Sequence, residues 1–247
     1  MEIMEFDEAK AYIGADYEVN EYIKIKQPSV KEIIDFGEKD YYSMVYTITA
    51  TPADMMSELD DIGVNFMEVD EFDLFRKLAV GMTQDRTSIL FGDLDFSKMK
   101  TYLDNESKEF VLADVDNGII IDKLAYYKIS NYLRFIHGFK ANRDRAANNT
   151  TRRIMIQIDR EKKNKAKKEG YKSTLKQLIS AMMRYPGFKY KTRELNECGI
   201  YEFMDTVKGS QIYTSSIALL QGSYSGMIDT SKIKKENFNW QRNTNCF

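Results

Sequence analysis

The chain has 247 residues, 43% of them apolar and 30% charged, with only three prolines and a formal net charge of -2. That is enough apolar material for one large core or two modest ones without covalent staples. No run approaches 18 consecutive apolar residues and the opening MEIMEFDEAKAYIGADYEVNEY is acidic where a secretory signal is basic and then apolar, so neither a membrane span nor export by that route is expected.

YIKIKQ (22–27) alternates apolar and polar residues and predicts a short strand. In PSVKEIIDFG, Ser29 is a good N-cap, Glu32 completes a capping box and Gly37 can close the helix. EKDYYSMVYTITA continues with helical spacing, and TPADMMSELDDIG restarts on Thr51, with proline at the first helical position and Asp54 where the helix dipole favours a negative charge. DEFDLFRKLAVGM (70–82) sets Phe72, Phe75, Leu78, Ala79 and Met82 on one face. EFVLADVDNGIIID (109–122) is two apolar runs around DNG, a hairpin signal because Asn and Gly tolerate positive φ. Asp122 then caps KLAYYKISNYLRFIHG, predicted to bury Leu124, Tyr127, Leu133 and Ile136.

NRDRAANNTT (142–151) has no periodic apolar set and predicts a loop junction. A charged helix, TRRIMIQIDREKKNKAKKEG, and a capped amphipathic one, STLKQLISAMMRYPG, should follow, the second stopped by Pro186 and Gly187. Residues 195–221 read as helical in pieces, since Gly199 and Gly209 weaken a continuous helix. The expected class is α+β, mainly helical with a small antiparallel hairpin or sheet. The division expected is an acidic half, 1–141, a junction at 142–151, and a basic then helical half, 152–247, docked on the first or folding independently.

Charge is segregated along the chain. Residues 1–133 carry 13 basic and 28 acidic groups, residues 134–193 carry 18 and 4, and residues 194–247 carry 5 and 6. Three uses fit: neutralisation within the monomer, contact with nucleic acid, or head-to-tail contact between copies. For the second, Tyr171, Tyr185, Phe188 and Tyr190 interleave with lysines and arginines, a mixture that can hold phosphate and stack on bases. Met182, Met183 and Leu178 point instead to a buried face.

Little here predicts catalysis. His137, the single histidine, falls at a helix end where a protonated imidazole suits the negative pole, and no serine or cysteine elbow accompanies it. Asp93/Asp95 and Asp114/Asp116 sit beside turns and have turn chemistry as their reason. Cys198 and Cys246 are far apart with no CxxC pattern, so neither a disulfide framework nor a zinc site is expected, and a reducing compartment is. Phosphate-loop, dinucleotide and HExxH motifs are absent from the sequence. No enzyme activity, cofactor, metal, membrane or small-molecule substrate is predicted.

The runs IKIKQPSVKEIIDFGEKDYYSMVYTITATPADM (23–55), FGDLDFSKM (91–99), IDKLAYYKISNYLRFIHG (121–138) and LLQGSYSGMIDTSKIKKENFNW (219–240) together resemble bacteriophage proteins encoded among tail genes. The resemblance implies virion morphogenesis: a tail or baseplate assembly chaperone or a structural component, in the host cytoplasm during assembly or in the virion tail. Its partners would be other tail proteins or copies of itself, with nucleic acid bound through 134–193 as the alternative. Candidate contact residues are Lys162, Lys163, Lys167 and Lys168 in the basic run, and Phe238 and Trp240 near the end. Gly226 is expected to turn the chain after the last helix, Met227 and Ile228 to make a brief extended contact, and 231–236 to bring that aromatic pair back to an apolar surface of its own chain or of a neighbour.

Overall fold

Side-chain caps set most helix starts in the computed structural model, which describes residues 6–105 and 108–243; Cys246 lies outside the described residues. After α1 (Glu8–Tyr12), β1 (Tyr17–Glu18) pairs antiparallel with β2 (Lys24–Ile25). α2 (Val30–Phe36) opens on the expected capping box, with the Glu32 N–H donating to Ser29 Oγ at 3.2 Å and the Ser29 N–H to the Glu32 carboxylate at 2.7 Å. Gly37 ends α2 and starts α3 (Glu38–Thr49) at φ +103°, a backbone state that a Cβ makes costly. Thr51 and Asp54 close a second box, although the turn they cap, Pro52–Met55, is 3-10 before α4 (Met56–Asp61) begins. α5 (Glu71–Ala79), capped by Asp70, and α6 (Gln84–Phe91) complete the first helical layer.

The DNG hairpin forms as β4 (Phe110–Asp114) and β5 (Ile119–Ile121), and β3 (Lys100–Leu103), which the sequence reading lacked, adds to β4 in the order β3-β4-β5. The Asp122 carboxylate accepts from the Ala125 N–H at 2.6 Å and caps α7 (Lys123–His137). Gly138, left-handed at φ +66°, ends it, with the Phe139 N–H returning to Arg134 O. Leu133 and Ile136 of α7 are buried as expected, but the stripe continues through Ile129 and Tyr126, so that Leu124 is 57% exposed and Tyr127 only half-buried. The cause is Tyr126, whose ring stacks on Phe75 at 4.7 Å and so turns the neighbouring positions outward.

The expected loop covers 142–148, and Asn148 caps α8 (Asn149–Glu169). α9 (Thr174–Arg184), capped by Ser173, and α10 (Thr192–Glu197) lead into α11 (Ile200–Tyr224). α11 runs unbroken through Gly209, correcting the expectation of pieces after Gly199. A helical glycine costs about 1 kcal/mol, and burial of Phe203, Val207 and Ile212 around it offsets that locally. Leu175, Leu195 and Phe203 belong to the same apolar cluster as Ile33, Tyr41 and Leu133, so the halves on either side of the loop share one core. A smaller cluster joins Met56, Leu59 and Phe66 to Ile156 of α8.

Candidate interaction surfaces

The β3-β4-β5 sheet is apolar on both sides. Leu112 and its cross-strand partner Ile121 are fully buried against the core. On the opposite side Tyr102 pairs with Val111, and Ile120 with Ala113. Ile120 is 53% exposed, and with Tyr102 and the outward Leu124 and Tyr127 of α7 it lines a groove of about 870 Å³. Asp104, Glu109 and Asp122 also line it. Lys123, also in the lining, is held by Asp70 at 2.9 Å, so apolar side chains of the sheet and α7 are mixed there with three carboxylates and one lysine. Sequence reasoning missed this surface; the signal was that VLA and III carry no polar alternation, as a half-covered antiparallel sheet should.

α8 meets the acidic part of the chain along one side. Ser57 donates from both N–H (3.0 Å) and Oγ (2.6 Å) to Asp159, and Arg160 bridges Asp60 and Asp61. Lys163 donates to Glu58, Asp159 and Asp54 O. Burial raises the Asp159 pKa, but the hydrogen bonds from Lys163 and Ser57 outweigh it and leave the carboxyl below its ordinary value. Lys163 is therefore an internal contact and not the outward group expected from the sequence, while Lys162, Lys167 and Lys168 are exposed. On that outward side Ile154 (54%) and Ile158 (45%) also face solvent, because α4 receives only Ile156 fully.

At the other end, Gly226 turns the chain at φ +70° as expected. Ile228 then packs beside Gly222, where a Cβ would come within 3.1 Å of it, whereas Met227 is exposed. Two 3-10 turns, Thr230–Lys232 and Lys235–Phe238, return along α11, pinned by the Ser216 hydroxyl donating to Asn237 O at 2.9 Å. Phe238 is half-buried; Trp240 meets the edge of Tyr213 at 5.9 Å and stays 50% exposed. Trp240→Ala should cost about 1–2 kcal/mol in urea unfolding, below the ~3–5 kcal/mol of a fully buried aromatic. A loss as large as the latter would show that the ring anchors the whole terminal segment.

The remaining singled-out groups have structural partners. His137 is buried, with Nδ1–H donating to Leu133 O at 2.7 Å and Nε2 accepting from the Tyr41 hydroxyl at 2.7 Å. Burial holds its pKa at about 4, against the weaker opposing effect of the Leu133 bond, so the imidazole is neutral at pH 7 and not the charged helix-end group expected. Cys198 is buried, and burial followed by the nearby Glu202 pushes its thiol up, away from thiolate chemistry. Asp95 accepts from Ser97 and Asp114 from Asn117, both within turns. Among the described residues no three His, Cys, Asp or Glu side chains converge as a metal set, and no helix is long and apolar enough to cross a membrane. Comparison with protein-family models, with curated proteins and with solved structures finds no match.

Proposed function

We propose that this chain is a non-enzymatic bacteriophage tail or baseplate morphogenesis protein, an assembly chaperone or structural component that works by protein–protein contact. The observation that carries the contact role is the groove lined by Tyr102, Ile120 and Leu124, whose apolar side chains are left open to solvent beside charged neighbours. Contiguous apolar surface of this kind, rimmed by polar groups, marks interaction sites on water-soluble folds. The tail context rests on the resemblance of the four segments, two of which, 91–99 and 121–138, flank the sheet that builds this groove. The exposed Lys162, Lys167 and Lys168 support nucleic-acid contact as the second reading. Against it, Tyr185, Phe188 and Tyr190 pack on the core and do not stand out as stacking platforms, and Arg160 and Lys163 are committed to acidic partners.

The test is co-expression of the chain with products of phage tail genes, followed by affinity purification and mass spectrometry of purified virions. A tail protein should co-purify, and recovery in mature virions would identify a structural component, whereas recovery only in assembly intermediates would identify a chaperone. Absence from both, with every tail protein absent from the eluate, overturns the reading.

A further inference from the structure

We propose that Asn117 is a self-modifying site: in the folded chain the backbone nitrogen of Gly118, and then water, convert its side-chain amide to aspartate or isoaspartate. Asparagine is chemically labile where the next backbone nitrogen can reach its side-chain carbonyl carbon, and a Cβ on that next residue hinders the approach. Asn117 is the one asparagine in this sequence that glycine follows. The pair sits at the exposed tip of the turn between β4 and β5. Gly118 is left-handed at φ +67°, and a Cβ built on it would meet nothing within 4 Å, so a ring and a water molecule have room there. Its N–H is held loosely, by Val115 O at 3.3 Å.

The reaction needs no partner beyond water. The Gly118 nitrogen loses its proton to solvent and bonds to Asn117 Cγ; the Cγ–Nδ2 bond breaks, and the side-chain nitrogen takes a proton from water and leaves as ammonia. Water then opens the succinimide at either carbonyl, giving aspartate or, with the main chain rerouted through Cγ, isoaspartate. Asp114 acts as a brake. Its carboxylate accepts from Asn117 Nδ2 at 2.8 Å and from the Asn117 backbone N–H at 3.3 Å, so the leaving nitrogen is tied down until the turn opens.

The product changes the hairpin. A carboxylate at this position puts an anion where the Nδ2 donor stood, 2.8 Å from Asp114 Oδ2, and like charges at that range repel. Isoaspartate also adds a methylene to the main chain inside the turn that sets Asp114 opposite Ile119. β4 and β5 carry Val111, Ala113 and Ile120 of the groove, so the reaction is a one-way alteration of that surface as the protein ages. The inference stands apart from the tail reading and does not rest on it.

Peptide mass spectrometry of the purified full chain, aged in neutral buffer made with heavy-oxygen water while circular dichroism confirms the fold, tests this. Trypsin releases EFVLADVDNGIIIDK (109–123), whose single side-chain amide is Asn117, so an amide-to-acid mass change there reports this residue alone. Asn117 should convert at least ~10-fold faster than the other asparagines, a barrier lower by about 1.4 kcal/mol. The product should be an aspartyl and an isoaspartyl form of equal mass, each carrying heavy oxygen, and the rate should rise with pH. Asp114→Ala, which releases the amide, should convert several-fold faster, and Asn117→Gln, which must close a larger ring, should stay unmodified. Amide hydrogen exchange over 119–121 should quicken in the converted chain. An unconverted peptide or an aspartyl form alone overturns the proposal, and so does conversion confined to a urea-unfolded control. An unchanged rate in Asp114→Ala overturns the brake, and unchanged exchange over 119–121 overturns the loosening of the hairpin.

Discussion

Arg134→Ala is expected to destabilise the protein by about 3–5 kcal/mol, the cost of leaving a buried charge without its partner. Its guanidinium, 7% exposed, donates to Thr49 O at 2.6 Å, to the Glu71 carboxylate at 3.3 Å and to Asn131 Oδ1 at 3.3 Å. One side chain of α7 thereby ties the last residue of α3 to the first of α5, and its removal strands both a carboxylate and a backbone carbonyl. Arg134→Lys keeps the charge but loses the planar fork, so it should recover only part of the loss. Urea unfolding with an unchanged m-value is the measurement. A loss below about 1 kcal/mol would show that water reaches Glu71 once the guanidinium is gone.

Local chemistry was legible in the sequence and non-local pairing was not. Ser29 with Glu32, the Asp122 cap and the DNG hairpin each depend on residues a few positions apart and formed as read; Thr51 caps as read, but Asp54 closes a box with it and the turn they open is 3-10. Leu124 and Tyr127 were misplaced on α7 because local spacing does not reveal that the rings of Phe72 and Phe75, some fifty positions earlier, take in Tyr126. β3 escaped for the same reason: KTYL has no strong pattern of its own and is a strand because β4 is beside it. In the candidate surfaces, Lys162 and Lys163 cannot be told apart by composition. Helix rotation sends one to solvent and the other to Glu58 and Asp159. Ile154 and Ile158 carried a readable warning, since IMIQI holds more apolar positions than one edge of α4 can cover.

The single histidine should make the fold sensitive to acid. His137 sits between α3 and α7 with Tyr41 on one ring nitrogen and Leu133 O on the other, beside the rings of Tyr42 and Phe139. The Tyr41 phenol, held well above its ordinary pKa mainly by burial, stays protonated and donates to the neutral imidazole. Folded, the imidazole takes a proton near pH 4; its ordinary value is 6.5. Between those values the unfolded chain binds the proton and the folded chain does not, so stability falls as pH drops through that window. The contribution is fully present above it, and its loss levels off below about pH 4. A shift of this size is worth about 3 kcal/mol. His137→Gln removes the titration but also the fit to Tyr41, so at pH 7 it should cost about 1–3 kcal/mol, more than the helix-end role expected from sequence would allow. Because carboxylates titrate alike in both proteins, the gap between their unfolding free energies should narrow as pH falls from 6.5 to 4. Parallel curves across that range would mean that the imidazole is hydrated in the folded state and that the Tyr41 contact does not hold it neutral.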